Sequence, residues 1–165
     1  MIPSLQLRKN SREPALAGLT VRDIIDTDRG DWVRLREALW PGSLSDHDIE
    51  TRKYFESRST ALLVFVADVD GRIVGFLEMD FRPYAPACVT SPVPFIEGWY
   101  VEPAWQRRGI GRALVEAAEA RARDMGYTEI ASDAELENAD GIAAHRAVGY
   151  EEVERIVCFR RSLRL

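Results

Sequence analysis

From residue 19 onward, apolar residues recur along the chain in two rhythms. Short runs rich in β-branched and aromatic residues predict strands over 19–25 (LTVRDII), 61–68 (ALLVFVAD), 72–81 (RIVGFLEMDF), 95–101 (FIEGWYV), 128–133 (TEIASD) and 150–160. Helical spacing places Trp32, Leu35 and Leu39 on one face of residues 28–39, with Asp28 as the expected N-cap. A second, polar helix is expected over 45–56, opened by a capping box of Ser45 and Asp48. A third covers 109–125, with Ile110, Leu114, Ala118 and Met125 on or near one face, and a fourth covers 139–148. Pro41, Gly42 and Gly126 are the stops. Asp70-Gly71 joins the second and third strands as a two-residue hairpin.

Residues 82–94, rich in Pro, Ala and Ser, read as a loop. Residues 1–18 lack periodicity and read as a loose leader ahead of one domain over 19–165. Strands mixed with crossover helices and opened by a hairpin predict an α/β (α+β) sheet protein, without an internal repeat. Glu78 and Asp80 share one face of their strand, which reads as a solvated face.

Composition adds limits. A chain of 165 residues holds one domain with a full-sized core. No apolar run approaches the roughly 18 residues of a membrane span. Twenty-two Lys and Arg against 27 Asp and Glu leave a net charge of −5, which disfavours nonspecific nucleic-acid binding and permits a cationic partner. Cys88 and Cys158 cannot form a disulfide framework, and no charged-then-apolar leader opens the chain, so a cytoplasmic protein is expected. Without Cys/His ligand spacing, neither cysteine is assigned a metal or a covalent acyl role.

The sharpest local feature is Gln106-Arg107-Arg108-Gly109-Ile110-Gly111-Arg112, between the strand ending at Val101 and the helix running to Met125. Glycines there let the backbone approach a ligand, and a helix start offers unpaired N–H groups with a partial positive charge. The combination suits a pyrophosphate, and Arg107, Arg108 and Arg112 add charge for a further phosphate. No Gly-Lys-Ser/Thr follows, and Leu114 stands where a dinucleotide fingerprint needs its third glycine. Taken alone, the loop is equally a helix start with convenient glycines.

Strand, Val101-Glu102-Pro103, this loop and an Ala-rich helix together resemble the acetyl-CoA signature of the GNAT N-acetyltransferases. Asn138, His145 and Gly149-Tyr150 resemble that family's second cofactor segment. The resemblance covers residues 19 to about 161. It implies a mixed central sheet flanked by helices, with acetyl-CoA wedged between splayed parallel strands 4 and 5, here 95–101 and 128–133. Backbone amides of residues 106 to 112 would hold the pyrophosphate. Backbone groups of Trp99 and Val101 would pair with the pantetheine arm, an N–H near Val101 would polarise the thioester carbonyl, and Asn138 matches a cofactor-side position. Where the family often has a Tyr that protonates the leaving thiolate, this chain has His145, equally readable as that acid or as a packing residue of the helix face.

Four further segments, 39–42, 91–98, 131–133 and 149–155, resemble the aminoglycoside 6′-N-acetyltransferases, which acetylate one amine of a polycationic antibiotic and so confer resistance. That likeness places Trp40, Tyr84, Glu97, Asp133 and Glu154 in the substrate pocket. The chemistry agrees, because a sugar carrying several ammonium groups needs carboxylates and aromatic planes. Glu97 in mid-strand and Asp133 at a strand end are unusual for an apolar sheet and fit a cleft, although an arginine partner for Glu97 or a turn cap for Asp133 would also explain them. The attacking amine must lose a proton, with Asp133 as first choice of base and Glu97 as second. Relatives of this kind are often dimers, which makes a homodimer a further expectation. Two alternatives stay open: an acetyltransferase for another small amine or peptide, and an acyl-CoA-binding module without catalysis.

Overall fold

The computed structural model describes residues 16–57 and 61–163. The element order is β1 (Leu19–Asp23), α1 (Arg29–Leu39), α2 (Leu44–Ser57), β2 (Leu63–Val69), β3 (Arg72–Arg82), β4 (Val93–Val101), α3 (Ile110–Asp124), β5 (Ala131–Ser132) and α4 (Ala139–Val148). Short 3-10 turns occupy Asp26–Asp28 and Pro103–Trp105. The sheet runs β1-β2-β3-β4-β5, antiparallel except for the parallel β4/β5 pair. Among the described residues, no helix is long and apolar enough to cross a membrane.

The long apolar runs of β2 and β3 follow from helices on both faces of the sheet. On one face Phe65, Ala67, Leu77 and Met79 meet Ile110, Leu114, Ala118 and Ala122 of α3. On the other, Val64, Val66, Ile73 and Phe76 meet Trp32 and Leu35 of α1. The β2–β3 hairpin turns at Asp70 (φ 51°) and Gly71 (φ 87°), a left-handed pair whose twist matches the strands.

Several expectations need correction. The carboxylate of Asp28 does not cap α1; it accepts from the N–H of Ile25 at 3.0 Å and from Arg22 at 2.6 Å, which binds the end of β1 to the helix start. Ser45 does not open α2, which starts at Leu44, and Asp48 pairs instead with Arg29 and Arg52. Glu78 is not solvated but buried, because α1 covers that face. The expected strand over 128–133 reduces to two residues, since β5 pairs only at Phe95/Ala131 and Ile96/Ser132. The expected strand over 150–160 has no ladder partner among the described residues; residues 151–163 run outside the sheet and are exposed. Most of the expected leader lies outside the described residues. Leu16, within them, packs on the core and accepts the N–H of Leu19 at 3.1 Å.

Candidate active site

The loop after β4 has Arg107 (φ 58°) and Gly109 (φ 79°) in left-handed backbone. Glycine adopts this freely; at Arg107 it costs roughly 1–2 kcal/mol. The first helical bond of α3 runs from Ala113 N to Gly109 O (3.0 Å). The N–H groups of residues 107–112 have no intrachain acceptor among the described residues, so they stand with the positive helix end as an anion site. Gly111 answers a packing need: a Cβ there would lie 3.0 Å from the Trp99 indole. Gln106 Nε2 donates to Val101 O at 3.0 Å, and Arg108 lies over the Trp105 ring. Arg112 is committed elsewhere, donating to Ala147 O at 2.6 Å and tying α3 to the end of α4.

Beyond Ile96, β4 has β3 on one side and, among the described residues, no strand on the other. Glu97 to Val101, including Trp99, therefore present an edge able to take an extended ligand arm. Asn138 caps α4, its Oδ1 accepting from Gly141 N at 2.8 Å. His145 Nδ1 lies 2.7 Å from Gly141 O and Nε2 lies 2.8 Å from Ser132 Oγ. A carbonyl can only accept, so Nδ1 donates; in the neutral ring Nε2 then accepts from the serine hydroxyl. His145 also meets Trp99 and Tyr150 edge-on, at 5.3 and 5.8 Å between ring centroids.

The opposite side of β4 carries the acidic features. The β3–β4 register slips at Glu78/Met79, which pair with Gly98 and Ile96 and leave Glu97 as the extra residue of a bulge. Such a bulge re-aims a side chain. Glu97 lines a cavity of about 440 Å³ with Arg36, Trp40, Ser43, Asp46, His47, Glu50 and Glu78. Four of these eight are carboxylates. Arg36 lies over Trp32 and Trp40 at 5.5 and 5.3 Å, and bonds Glu50 at 2.7 Å. Glu78 accepts from Trp32 Nε1 at 2.7 Å, and burial pushes its carboxyl up from the ordinary range. Gly98 makes room for Trp40, since a Cβ there would lie 2.5 Å from the indole.

Arg82, at the end of β3, clamps the expected acidic pair. Its Nε and Nη2 donate to the Glu97 carboxylate at 2.7 and 2.5 Å, and its Nη1 reaches Asp133 at 3.4 Å. The guanidinium lies 3.5 Å above the Phe95 ring centre. Tyr84, two residues further, is 68% exposed. Its loop is held from the β5 side, where Glu129 accepts from Thr90 N at 2.8 Å and Val89 N at 3.0 Å. The structure thus puts Glu97 and Trp40 in one cavity, joins Asp133 to Glu97 through Arg82, leaves Tyr84 exposed outside the cavity lining, and places Glu154 on the exposed C-terminal segment.

Residues 31–150 match the model of the acetyltransferase (GNAT) family. This chain belongs to the GNAT acetyltransferase family. The GNAT chain is 44% identical over 147 residues to an aminoglycoside N(6′)-acetyltransferase type 1 of Klebsiella aerogenes, covering 87% of this chain and 96% of that one. It is 42% identical over 145 residues to another of that name from Stenotrophomonas maltophilia, covering 87% and 94%. Among solved structures it resembles aminoglycoside 6′-N-acetyltransferase AAC(6′)-Ih from Acinetobacter baumannii, with a TM-score of 0.82, 35% identity, and 88% and 99% of the two chains covered. AAC(6′)-Iy in complex with the bisubstrate analog CoA-S-monomethyl-acetylneamine matches with a TM-score of 0.81 and 33% identity, covering 88% and 99%.

The sequence did not point to Arg82, Asp46, Glu50 or Glu78, which the structure sets around Glu97. Glu78 carried a signal, a carboxylate inside an otherwise apolar strand. Arg82 carried none, since a cation at a strand end is ordinary. Asp46 and Glu50 fell within a helix read only as polar.

Proposed function

We propose that this chain is an acetyl-CoA-dependent acetyltransferase that acetylates the 6′-amine of aminoglycoside antibiotics and thereby confers resistance. One observation carries the reading: an acidic, tryptophan-walled cavity shares strand β4 with an unpaired edge that leads to an N–H-rich helix start. A cationic acceptor and an anionic thioester donor would meet across the Glu97 bulge. The family and the relatives' names support the same substrates.

In this scheme acetyl-CoA supplies the acetyl group. The amides of residues 107–112 would face its diphosphate, the expected amide of Gln106 being taken by Pro103 O at 3.3 Å, with Arg107 and Arg108 adding charge, and β4 from Trp99 to Val101 would pair with its pantetheine arm. Asn138 and the His145–Ser132 bond fix the mouth between β5 and α4. The hydrogen bonds of His145 favour the helix-face role over that of the acid. Glu97 and Asp133 bind the acceptor's ammonium groups, Trp40 and Tyr84 offer aromatic planes to its sugar faces, and Glu154 adds a further carboxylate. Asp133, exposed beyond β5, takes the proton from the attacking nitrogen, directly or through water. The nitrogen adds to the thioester carbonyl carbon, the C–S bond breaks, and the thiolate leaves as CoA, taking up through water the second proton that the nitrogen sheds. Placing amine and thioester side by side supplies much of the rate. Acetyl-CoA as donor points to a cytoplasmic location, and a homodimer is the proposed assembly.

The test is thiol release from acetyl-CoA with aminoglycosides, polyamines and peptides offered separately. Turnover with aminoglycosides is expected, together with raised resistance of bacteria expressing the chain but not its Glu97/Asp133 double variant. Turnover confined to peptides or polyamines would overturn the substrate; acetyl-CoA binding without turnover of any amine would overturn catalysis.

A further inference from the structure

Ser132 and His145 form a pair whose polarity bears on a second reaction. His145 Nδ1 donates to Gly141 O at 2.7 Å, which leaves Nε2 as the lone-pair side of the neutral ring. That lone pair meets the Ser132 hydroxyl at 2.8 Å, whereas the other acceptor near the hydroxyl, Ile96 O, lies at 3.3 Å. The bonding that leaves His145 no proton to give makes it able to take one. A hydroxyl set on an imidazole base, with the base held by a third group, is the arrangement of an activated nucleophile. Trp99 braces the ring edge-on at 5.3 Å, and both members of the pair are half-buried.

The pair stands where the sheet divides. Ser132 is the last residue of β5 and pairs with Ile96. Past Ile96, β4 runs on to Val101 with no strand beside it among the described residues. The N–H-rich start of α3 follows the Val101 end of that edge. A thioester held at α3 by its diphosphate, with its arm paired along β4, presents its acyl end toward Ile96 and so toward Ser132. This placement rests on the donor site proposed above.

We propose that this chain has a second activity, hydrolysis of acetyl-CoA through an acetyl ester on Ser132, expressed when no amine occupies the acceptor cavity. Ser132 Oγ adds to the thioester carbonyl carbon as its proton passes to His145 Nε2. Unpaired N–H groups of the β4 edge stabilise the charge that forms on the carbonyl oxygen. The C–S bond breaks, and the thiolate leaves as CoA with the proton from His145. Water, deprotonated by His145, then adds to the ester carbon. The bond from that carbon to Oγ breaks, His145 returns a proton to Ser132, and acetate and one proton are released.

The test incubates the full chain with acetyl-CoA and no amine, follows thiol release, and maps the acid-quenched protein by mass spectrometry. Release above the protein-free blank is expected, with an acetyl group on the peptide that holds Ser132. Neutral hydroxylamine should remove that group, as it removes an ester and not an amide. Ser132→Ala should lose the adduct and cut amine-free release by about tenfold or more, and His145→Gln should slow the same release. Should Ser132→Ala not fold, as judged by far-ultraviolet dichroism, the wild-type map decides alone. No release above the blank overturns the proposal, as does an acetyl group found only on other residues, or release that Ser132→Ala leaves unchanged. Adding an aminoglycoside separates the two readings: turnover with it and none without overturns the ester alone. No binding of acetyl-CoA by calorimetry overturns the donor site and the ester together.

Discussion

Arg82 holds Glu97 by a two-pronged ion pair, with N···O distances of 2.7 and 2.5 Å, and stretches its remaining arm 3.4 Å to Asp133. These hydrogen bonds keep the guanidinium above its ordinary pKa and fix the carboxylate plane of Glu97 at the β4 bulge. The fork depends on a planar guanidinium, which an ammonium cannot reproduce.

Arg82→Lys keeps the charge and loses the fork. The aminoglycoside kcat/KM should fall about tenfold, close to 1.4 kcal/mol, mainly through KM, while the KM for acetyl-CoA stays put. Steady-state kinetics with each substrate varied in turn checks this; unaltered aminoglycoside kinetics would reduce the pair to a structural contact.

Asp133→Ala removes the proposed base and leaves Glu97 clamped by Arg82. A loss of tenfold or more in kcat/KM for kanamycin-type substrates is expected, at least about 1.4 kcal/mol of transition-state stabilisation. Asp133 sits outside the core, so the melting temperature should hardly move. Wild-type kinetics in this variant would remove Asp133 from the reaction.

Gly98→Ala places a methyl group 2.5 Å from the Trp40 indole, which must leave β4. The KM for aminoglycosides should rise severalfold, with CoA affinity nearly unchanged because the edge at Trp99 to Val101 is untouched. Isothermal titration with each ligand separates the two effects. Trp40→Ala should shift the same equilibrium in the same direction.

Glu78 carries a pH signature. Burial raises its carboxyl pKa above the unfolded value, against the opposing pull of Arg36 and the Trp32 hydrogen bond. A carboxyl raised by folding favours the folded state at low pH and loses that advantage as pH climbs from the unfolded carboxylate value through the raised one. Glu78→Gln keeps an acceptor for Trp32 and cannot ionise. Its melting temperature should exceed the wild type's at pH 8, and the gap should close near pH 4. A gap that grows on acidification would reverse the assignment.

The candidate donor side was legible in the sequence because its features are local. Gly109, Gly111 and the helix they open lie within a few residues, and unpaired N–H groups follow from any helix start. Trp40, Glu97 and Asp133 stood out in the sequence, two of them as carboxylates set against apolar strands, and the structure puts Trp40 and Glu97 in one cavity. Hidden were the dependencies between distant residues. Arg82 meets Glu97 across 15 positions and Asp133 across 51, and Glu78 meets Trp32 across 46. Residues 150–160 read as a strand from their alternation, yet alternation names no partner, and there is none among the described residues.

By itself, then, the sequence determined the hairpin at Asp70-Gly71, the helices, the glycine turn ahead of α3 and the acidic character of the acceptor side, because each follows from short-range backbone sterics and residue chemistry. Tertiary structure alone decided that Glu78 is buried, that β5 is two residues long, that the β4 bulge turns Glu97 toward Arg82, and that Asp28 ties β1 to α1 instead of capping it. These depend on strand register and on which face each helix covers, and such quantities are set by packing between segments far apart in the chain.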